Sequence, residues 1–273
     1  MKNPFPSIRK VMARAKIVSA LEKWRILRAV NWPKTLYFNF RMFAFKTAVK
    51  LPVFFYGRIR FNALNGQVLI KAPITRGMVR FGFNYELIRA AMGTSEMKID
   101  GILIINGAFS TGIDYAVIIE KEGVLEIGAS SYLGSRTKII VTKRVSLGRY
   151  FRLSYESQIL DSNFHYMLDV ETNEIPRLDD EVIINDYCWI GNRTTILKST
   201  KTPSYLTVAS NSLLNKDYTR FIKEKSLIGG IPAKLIRTNV TRVYDPNKEM
   251  MISEYFRSHP DEQVFRYDPD FFH

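Results

Sequence analysis

Along this chain, aliphatic or small residues return every six positions, at Ile184, Ile190, Ile196, Thr202, Val208 and Leu214. A helix repeats about every 3.6 residues and a strand about every 2, so neither accounts for the spacing. A fixed short period of this kind describes coils stacked on coils. A less regular form of the rhythm runs through Ile113, Ile119 and Leu125 and restarts at Ile127-Gly128, Leu133-Gly134, Ile139 and Val145. It then shifts at Leu147-Gly148 before reaching Leu153 and Ile159. An inserted residue or bulge in one turn produces such a shift. Three short strands and three turns make one coil. The aliphatic residue points inward, and the Gly or Asn after it is expected to supply a tight turn with unusual backbone angles. The end coils need caps.

Other stretches follow different patterns. Residues 8–30 are rich in helix formers and lack Gly and Pro, which predicts a helix ended by the Trp32-Pro33 step. Its faces are only partly amphipathic, because Ile17 and Trp24 fall among Arg and Lys. From Phe61 onward short β-prone pieces alternate with Gly, Asn and Asp turns. After Ile159 the rhythm stops across DSNFHYMLDVETNEIPRLDDE and resumes at Val182, a long polar excursion of the kind that carries function. Beyond Arg237, Asp245-Pro246 reads as the start of an N-capped helix, followed by an aromatic tail. The expected organisation is a basic, aromatic helical segment over 1–60, a β domain over 61–237 with a loop at 161–181, and a helix and tail over 238–273.

Charge changes the picture only locally. The chain of 273 residues has a formal charge of +14, but residues 1–60 hold 14 Lys and Arg against the single acid Glu22. The remaining 26 Lys and Arg face 25 acids. The basicity therefore belongs to the N-terminal segment, where aromatics and cations interleave as at a lipid headgroup surface. Two readings stand there: peripheral contact with anionic membrane, or a helical cap with solvated cations. Nucleic acid is not expected, because no binding motif accompanies the charge. The lone Cys188 forms no internal disulfide and fits a reducing compartment, so a cytoplasmic protein is expected, with any membrane contact on the inner face of the cytoplasmic membrane. Lys and Arg interrupt every apolar run before it reaches the length of a bilayer span.

The segments WIG, ILKS, NSLLNKD and GGIPAKLIR, in that order, together with the upstream DSNFH, resemble the hexapeptide-repeat acyltransferases. TLYFNF, FKTAVKLP, MVRFGFN and TPSYLTVASNSLLNK are similar to the bacterial capsule, lipopolysaccharide and exopolysaccharide O-acetyltransferases among them. The resemblance implies a left-handed parallel β-helix, a homotrimer and an acetyl-CoA donor with no metal required. The implied acceptor is a saccharide hydroxyl, free or on a lipid-linked glycan.

The chemistry can also be argued from residue types. Acyl transfer from a thioester to a hydroxyl needs a base for the hydroxyl proton and donors for the tetrahedral oxyanion. Imidazole suits the base, and His165 sits in the interrupting loop where similar enzymes place theirs. Asp161 or Asn163 is expected to orient it or hold the acceptor, with Trp189 as an apolar wall. For coenzyme A the resemblance implies Asn192, Ser210, Asn215, Lys216, Lys234 and Arg237, the three cations suiting its phosphates. Three features depart from the pattern: Pro203 and Ala209 replace the usual Gly, Thr202 replaces an inward aliphatic, and YTRFIKEK is inserted before GGIPAKLIR. Cys188 is expected to be a buried, inert thiol. A noncatalytic scaffold binding glycan or membrane is the competing class. A zinc site is disfavoured because His259 and His273 lie in the tail.

Overall fold

A computed structural model describes residues 25–83 and 93–266. Most of the helix expected over residues 8–30, and the end of the aromatic tail, lie outside the described residues. The chain winds through three sheets in turn, so that strands up to Leu213–Leu214 pair with the third strand before or after them. The sheets have nine, seven and six strands, and the result is a left-handed parallel β-helix of triangular section. In the second sheet Met97, Val117, Ile139, Ile159, Ile196 and Leu214 are matched in register, and all are buried. In the first sheet Leu133, Leu153, Ile190, Val208 and Ile228 stack likewise. The six-residue rhythm is the sequence trace of these columns. Thr202 follows Ile184 in the matching column of the third sheet: its hydroxyl accepts the Asn185 N–H at 3.2 Å and lies 3.5 Å from Cys188 Sγ, so its polar atom is satisfied inside the stack.

The turns are built differently from the expectation. The glycines after the inward aliphatics keep ordinary backbone angles, and the left-handed conformation falls two residues further on. Ser130, Arg136, Tyr150, Glu156, Tyr187, Arg193, Ser199, Tyr205 and Asn211 all have φ between 55° and 64°. The glycine is required by proximity instead. A Cβ at Gly191 would lie 2.5 Å from the backbone nitrogen of Ser210 in the next coil, and one at Gly128 would lie 2.3 Å from the carbonyl carbon of Gly148.

The first strand, Val53–Phe55, pairs with Val79–Phe81, so the stack begins ahead of residue 61. Its outer edge would leave backbone groups unpaired, and the preceding helix, α1 (Trp32–Met42), covers them. Asn31 caps this helix and Pro33 occupies its first turn. Two buried polar residues on its inner face reach the strand edge. Asn39 donates to Val53 O at 2.7 Å and accepts from Val53 N at 3.2 Å, while Thr35 Oγ1 accepts from Phe55 N at 3.0 Å. Phe38 completes the plug against Phe55, with ring centroids 5.0 Å apart. At the other end Ala233–Arg237 folds back antiparallel on Leu227–Gly230. The inserted segment forms a 3₁₀ turn, Tyr218–Arg220, which buries Tyr218. The tail begins with the expected helix, α2 here for Pro246–Ser258 apart from the short turn Phe45–Ala48, and Asp245 accepts from Asn247 N and Lys248 N as its cap.

Candidate functional site

Three corners separate the three sheets, and the corner between the second and third is where the chain leaves its coil. Strand Gln158–Leu160 belongs to the second sheet and Val182–Ile184 to the third; between them lies the 161–181 excursion. Its two ends are tied together. Asp180 N donates to Asp161 O at 2.9 Å, and Ser162 bridges Asp179. Its tip is a turn in which Asp169 accepts from Glu171 N at 2.9 Å and Thr172 N at 3.0 Å, bonds that hold the Asp169 carboxyl below its ordinary pKa.

Asp161 is fully buried at the base of this loop. Its carboxylate accepts four hydrogen bonds from the corner of the coil below. Two come from Thr142, N at 2.8 Å and Oγ1 at 2.9 Å, and the others from Lys143 N at 2.8 Å and Arg144 N at 2.9 Å. These bonds occupy the carboxylate, so it faces the coil and not His165. Lys143 also binds Asp180 at 2.8 Å, and that hydrogen bond is the main reason the Asp180 carboxyl is depressed.

Just before His165, Phe164 is held at φ 60°, with its N–H donated to Ser162 Oγ at 3.0 Å. A non-glycine residue in this region costs about 1–2 kcal/mol, which the tied base of the loop sustains. The turn projects His165 into the open. It is exposed, and among the described residues its imidazole has no hydrogen-bond partner. Asn163 is also exposed and uses its backbone N–H on Leu178 O at 3.1 Å. Around His165 the loop exposes Phe164, Tyr166, Met167, Leu168 and Val170, an apolar run left uncovered among the described residues.

The other expected site residues divide between places. Asn215 and Lys216 stand exposed on the same corner as the loop, at the top of the stack; the Lys216 ammonium lies 5.1 Å from the Phe221 ring. Asn192 and Ser210 lie on the corner between the first and second sheets, where the Ser210 hydroxyl donates to Asn192 Oδ1. Lys234 and Arg237 belong to the antiparallel strand ending the first sheet. Trp189 lies on the outer face of that sheet, which is opposite the corner carrying His165; its indole N–H donates to Ser154 Oγ at 3.2 Å. A single chain therefore does not bring His165 and Trp189 together. Cys188 is buried, and burial pushes its thiol up to about 11, away from nucleophilic chemistry.

A feature that the sequence reading missed is the groove in which Trp189 lies. It has a volume of about 840 Å³ and runs along the outer face of the first sheet. Its floor is a ladder of outward residues matched strand to strand: Arg80, Ser110, Tyr132, Arg152 and Trp189. Each directly precedes an inward residue, and that position, taken at every third strand, is the signal that would have revealed the ladder. Among the described residues no group of three or more His, Cys, Asp or Glu side chains could hold a metal ion.

No family model matches the chain. It is 25% identical over 170 residues to a 24.8 kDa protein in the cps region of Klebsiella pneumoniae, an alignment that covers 60% of this chain and 74% of that one. The solved polySia specific acetyltransferase NeuO superposes with a TM-score of 0.54 at 16% identity, over 77% of this chain and 84% of its own, which shows a common fold. The polysialic acid O-acetyltransferase OatWY is 20% identical, with a TM-score of 0.40 over 72% of this chain and 78% of its own.

Proposed function

We propose that this chain is a coenzyme A-dependent O-acyltransferase that moves an acetyl group to a saccharide hydroxyl during assembly of a cell-surface polysaccharide. In this reading it works as a homotrimer whose sites lie between chains. The observation that carries the proposal is the presentation of His165. The imidazole stands exposed on a loop whose apolar residues have no cover among the described residues, as expected if a neighbour covers them. The fold shared with NeuO and the similarity to a capsule-region protein support the same class of reaction and setting.

In this arrangement the 161–181 loop of one chain docks on the first-sheet face of the next, beside the partner's copy of Trp189. Asn215 and Lys216 from the first chain, with Asn192 and Ser210 from the second, would then line one channel for the donor. Amide and hydroxyl groups suit its pantetheine arm, and Lys216, Lys234 and Arg237 suit its phosphates. A His165 ring nitrogen takes the proton of the saccharide hydroxyl as the oxygen attacks the thioester carbonyl carbon. When the tetrahedral adduct collapses, the carbon–sulfur bond breaks and the imidazolium returns its proton to the departing thiolate. The products are an O-acetyl ester and free coenzyme A, with no acyl-enzyme. Asp161 acts as a positioning residue through the base of the loop.

The working place proposed is the cytoplasm, with peripheral contact at the membrane's inner face. No described helix is long and apolar enough to cross a membrane. Helix α1 and the turn after it expose Leu36, Tyr37, Phe40, Phe45 and Val49 beside Arg41, Lys46 and Lys50, a surface that suits anionic lipid.

Complementation between two inactive variants tests the site. His165→Ala and Trp189→Ala should each reduce acetyl transfer, the first by about 10²–10⁴-fold. Refolded together, they should recover part of the activity, because some interfaces pair an intact His165 with an intact Trp189. Full activity in His165→Ala would remove the base assignment. Two inactive variants that never complement would remove the shared site.

A further inference from the structure

The groove on the first sheet has a chemical character that acyl transfer by itself does not require. Arg80 and Arg152 lie on its floor, Arg76 at its N-terminal end and Arg242 beside Trp189, and none of the described residues lining it is Asp or Glu. Three of these cations have partners in the fold, among them Arg80, whose Nε–H donates to Gly77 O at 3.4 Å. Arg152 donates to the carbonyls of Ser130 and Phe151, and Arg242 pairs with Glu249 at 3.3 Å while lying 5.5 Å from the Trp189 ring. Arg76 and Arg80 pair with no carboxylate among the described residues. Arg76 lies 5.8 Å from the Trp32 ring and Arg80 5.2 Å from the Phe83 ring, which hold the two guanidinium groups without neutralising them.

The cations are also spread out. Arg80 and Arg152 are three strands apart, or about 14 Å at the ordinary spacing between strands. Between them stand Ser110 and Tyr132, and beyond them Trp189. Aromatic faces and hydroxyls alternating with positive charges at intervals match an extended chain of sugar rings that carries a negative charge on successive residues. The clustered phosphates of a coenzyme would need the cations gathered at one end.

We propose that this groove binds the acceptor as an acidic oligosaccharide, its carboxylates facing Arg76, Arg80 and Arg152 and its rings resting on Tyr132 and Trp189. The inference rests on the acyltransferase reading for the word acceptor, but the binding surface stands on its own geometry. It makes Arg76 and Arg80 determinants of acceptor specificity, and it directs the saccharide along the sheet toward the Trp189 end where chemistry is proposed.

The test is calorimetric titration of the full chain with hexameric oligogalacturonate, its methyl ester and an α-linked oligomer of sialic acid. At least one acid oligomer should bind, and more weakly as salt rises. The uncharged ester should bind at least tenfold more weakly than its parent acid, or not at all where that acid does not bind. The double variant Arg76→Gln/Arg80→Gln should weaken acid binding at least tenfold, Arg80→Lys should retain most of it, and acetyl-CoA binding should be unchanged in both. Failure of both acid oligomers to bind at millimolar concentration would overturn the proposal. So would equal binding of the ester and a binding acid, or loss of acetyl-CoA affinity in the glutamine variants, which would reassign the cations to the coenzyme. His165→Ala should bind acid oligomers like the parent. Binding without any acetyl transfer would therefore sink the catalytic reading alone, and transfer that favours neutral over acidic sugars would sink the groove alone.

Discussion

The regular coils and the loop that interrupts them use polar groups in opposite ways. Inside the coils buried polar groups serve the stack: Thr202 satisfies its neighbours inside a column, and Asp161, where the loop leaves its coil, accepts four bonds from the coil below. In the loop His165 and Asn163 are directed outward, their positions fixed by backbone bonds at the base and tip. A side chain already bonded on every side has little to offer a substrate, so the proposed base, His165, sits where the stack does not need it. The difference also explains why Asp161, close to His165 in sequence, does not orient it.

Substitutions of matched chemistry put this contrast at risk. Ile196→Ala, in the centre of a buried column, should cost about 4 kcal/mol in denaturant unfolding, whereas Val170→Ala on the loop should cost less than about 0.5 kcal/mol. Equal costs would mean that the loop is part of the folding core. Asp161→Ala should cost about 3 kcal/mol by orphaning buried donors, and it should lower turnover even where the protein is fully folded, because the loop base moves. If stability falls and kcat holds, Asp161 has no positioning role. Asn39→Ala should cost about 2 kcal/mol by uncovering the first strand, without altering the loop's hydrogen-exchange protection.

The smallest effect is on pH dependence. Arg193, then Arg136, depress the Glu156 carboxyl, and Lys143 depresses that of Asp180. A carboxyl depressed by folding adds stability above its unfolded value, near about pH 4, and loses it as pH falls through the lower folded value. The melting temperature should therefore decline on acidification below that range, and Lys143→Met should flatten part of the decline. An unchanged profile would show that this exposed pair contributes nothing measurable.

Much of the architecture was legible in the sequence because burial imposes a strict period: Ile184, Ile190, Ile196, Thr202, Val208 and Leu214 all became buried column positions. The corners were not legible. Their left-handed residues include Tyr187, Arg193, Ser199, Tyr205 and Asn211, which share no chemistry, so the visible glycines were assigned the wrong task. The loop announced itself by breaking the rhythm. The ladder was harder to read: its residues each precede an inward position, but insertions of unequal length separate Arg80, Ser110, Tyr132, Arg152 and Trp189 along the chain, and the register of the first sheet is what lines them up.

The knot at the base of the loop has a consequence for descent. Because Asp161 and Asp180 meet directly, the coil closes the same way whatever lies between Asn163 and Leu178. A lineage can lengthen, trim or exchange that segment while the columns beneath keep their places. Scaffold and loop are thus free to diverge at different rates, and a stack of coils can take up a new segment at one vertex by a single insertion.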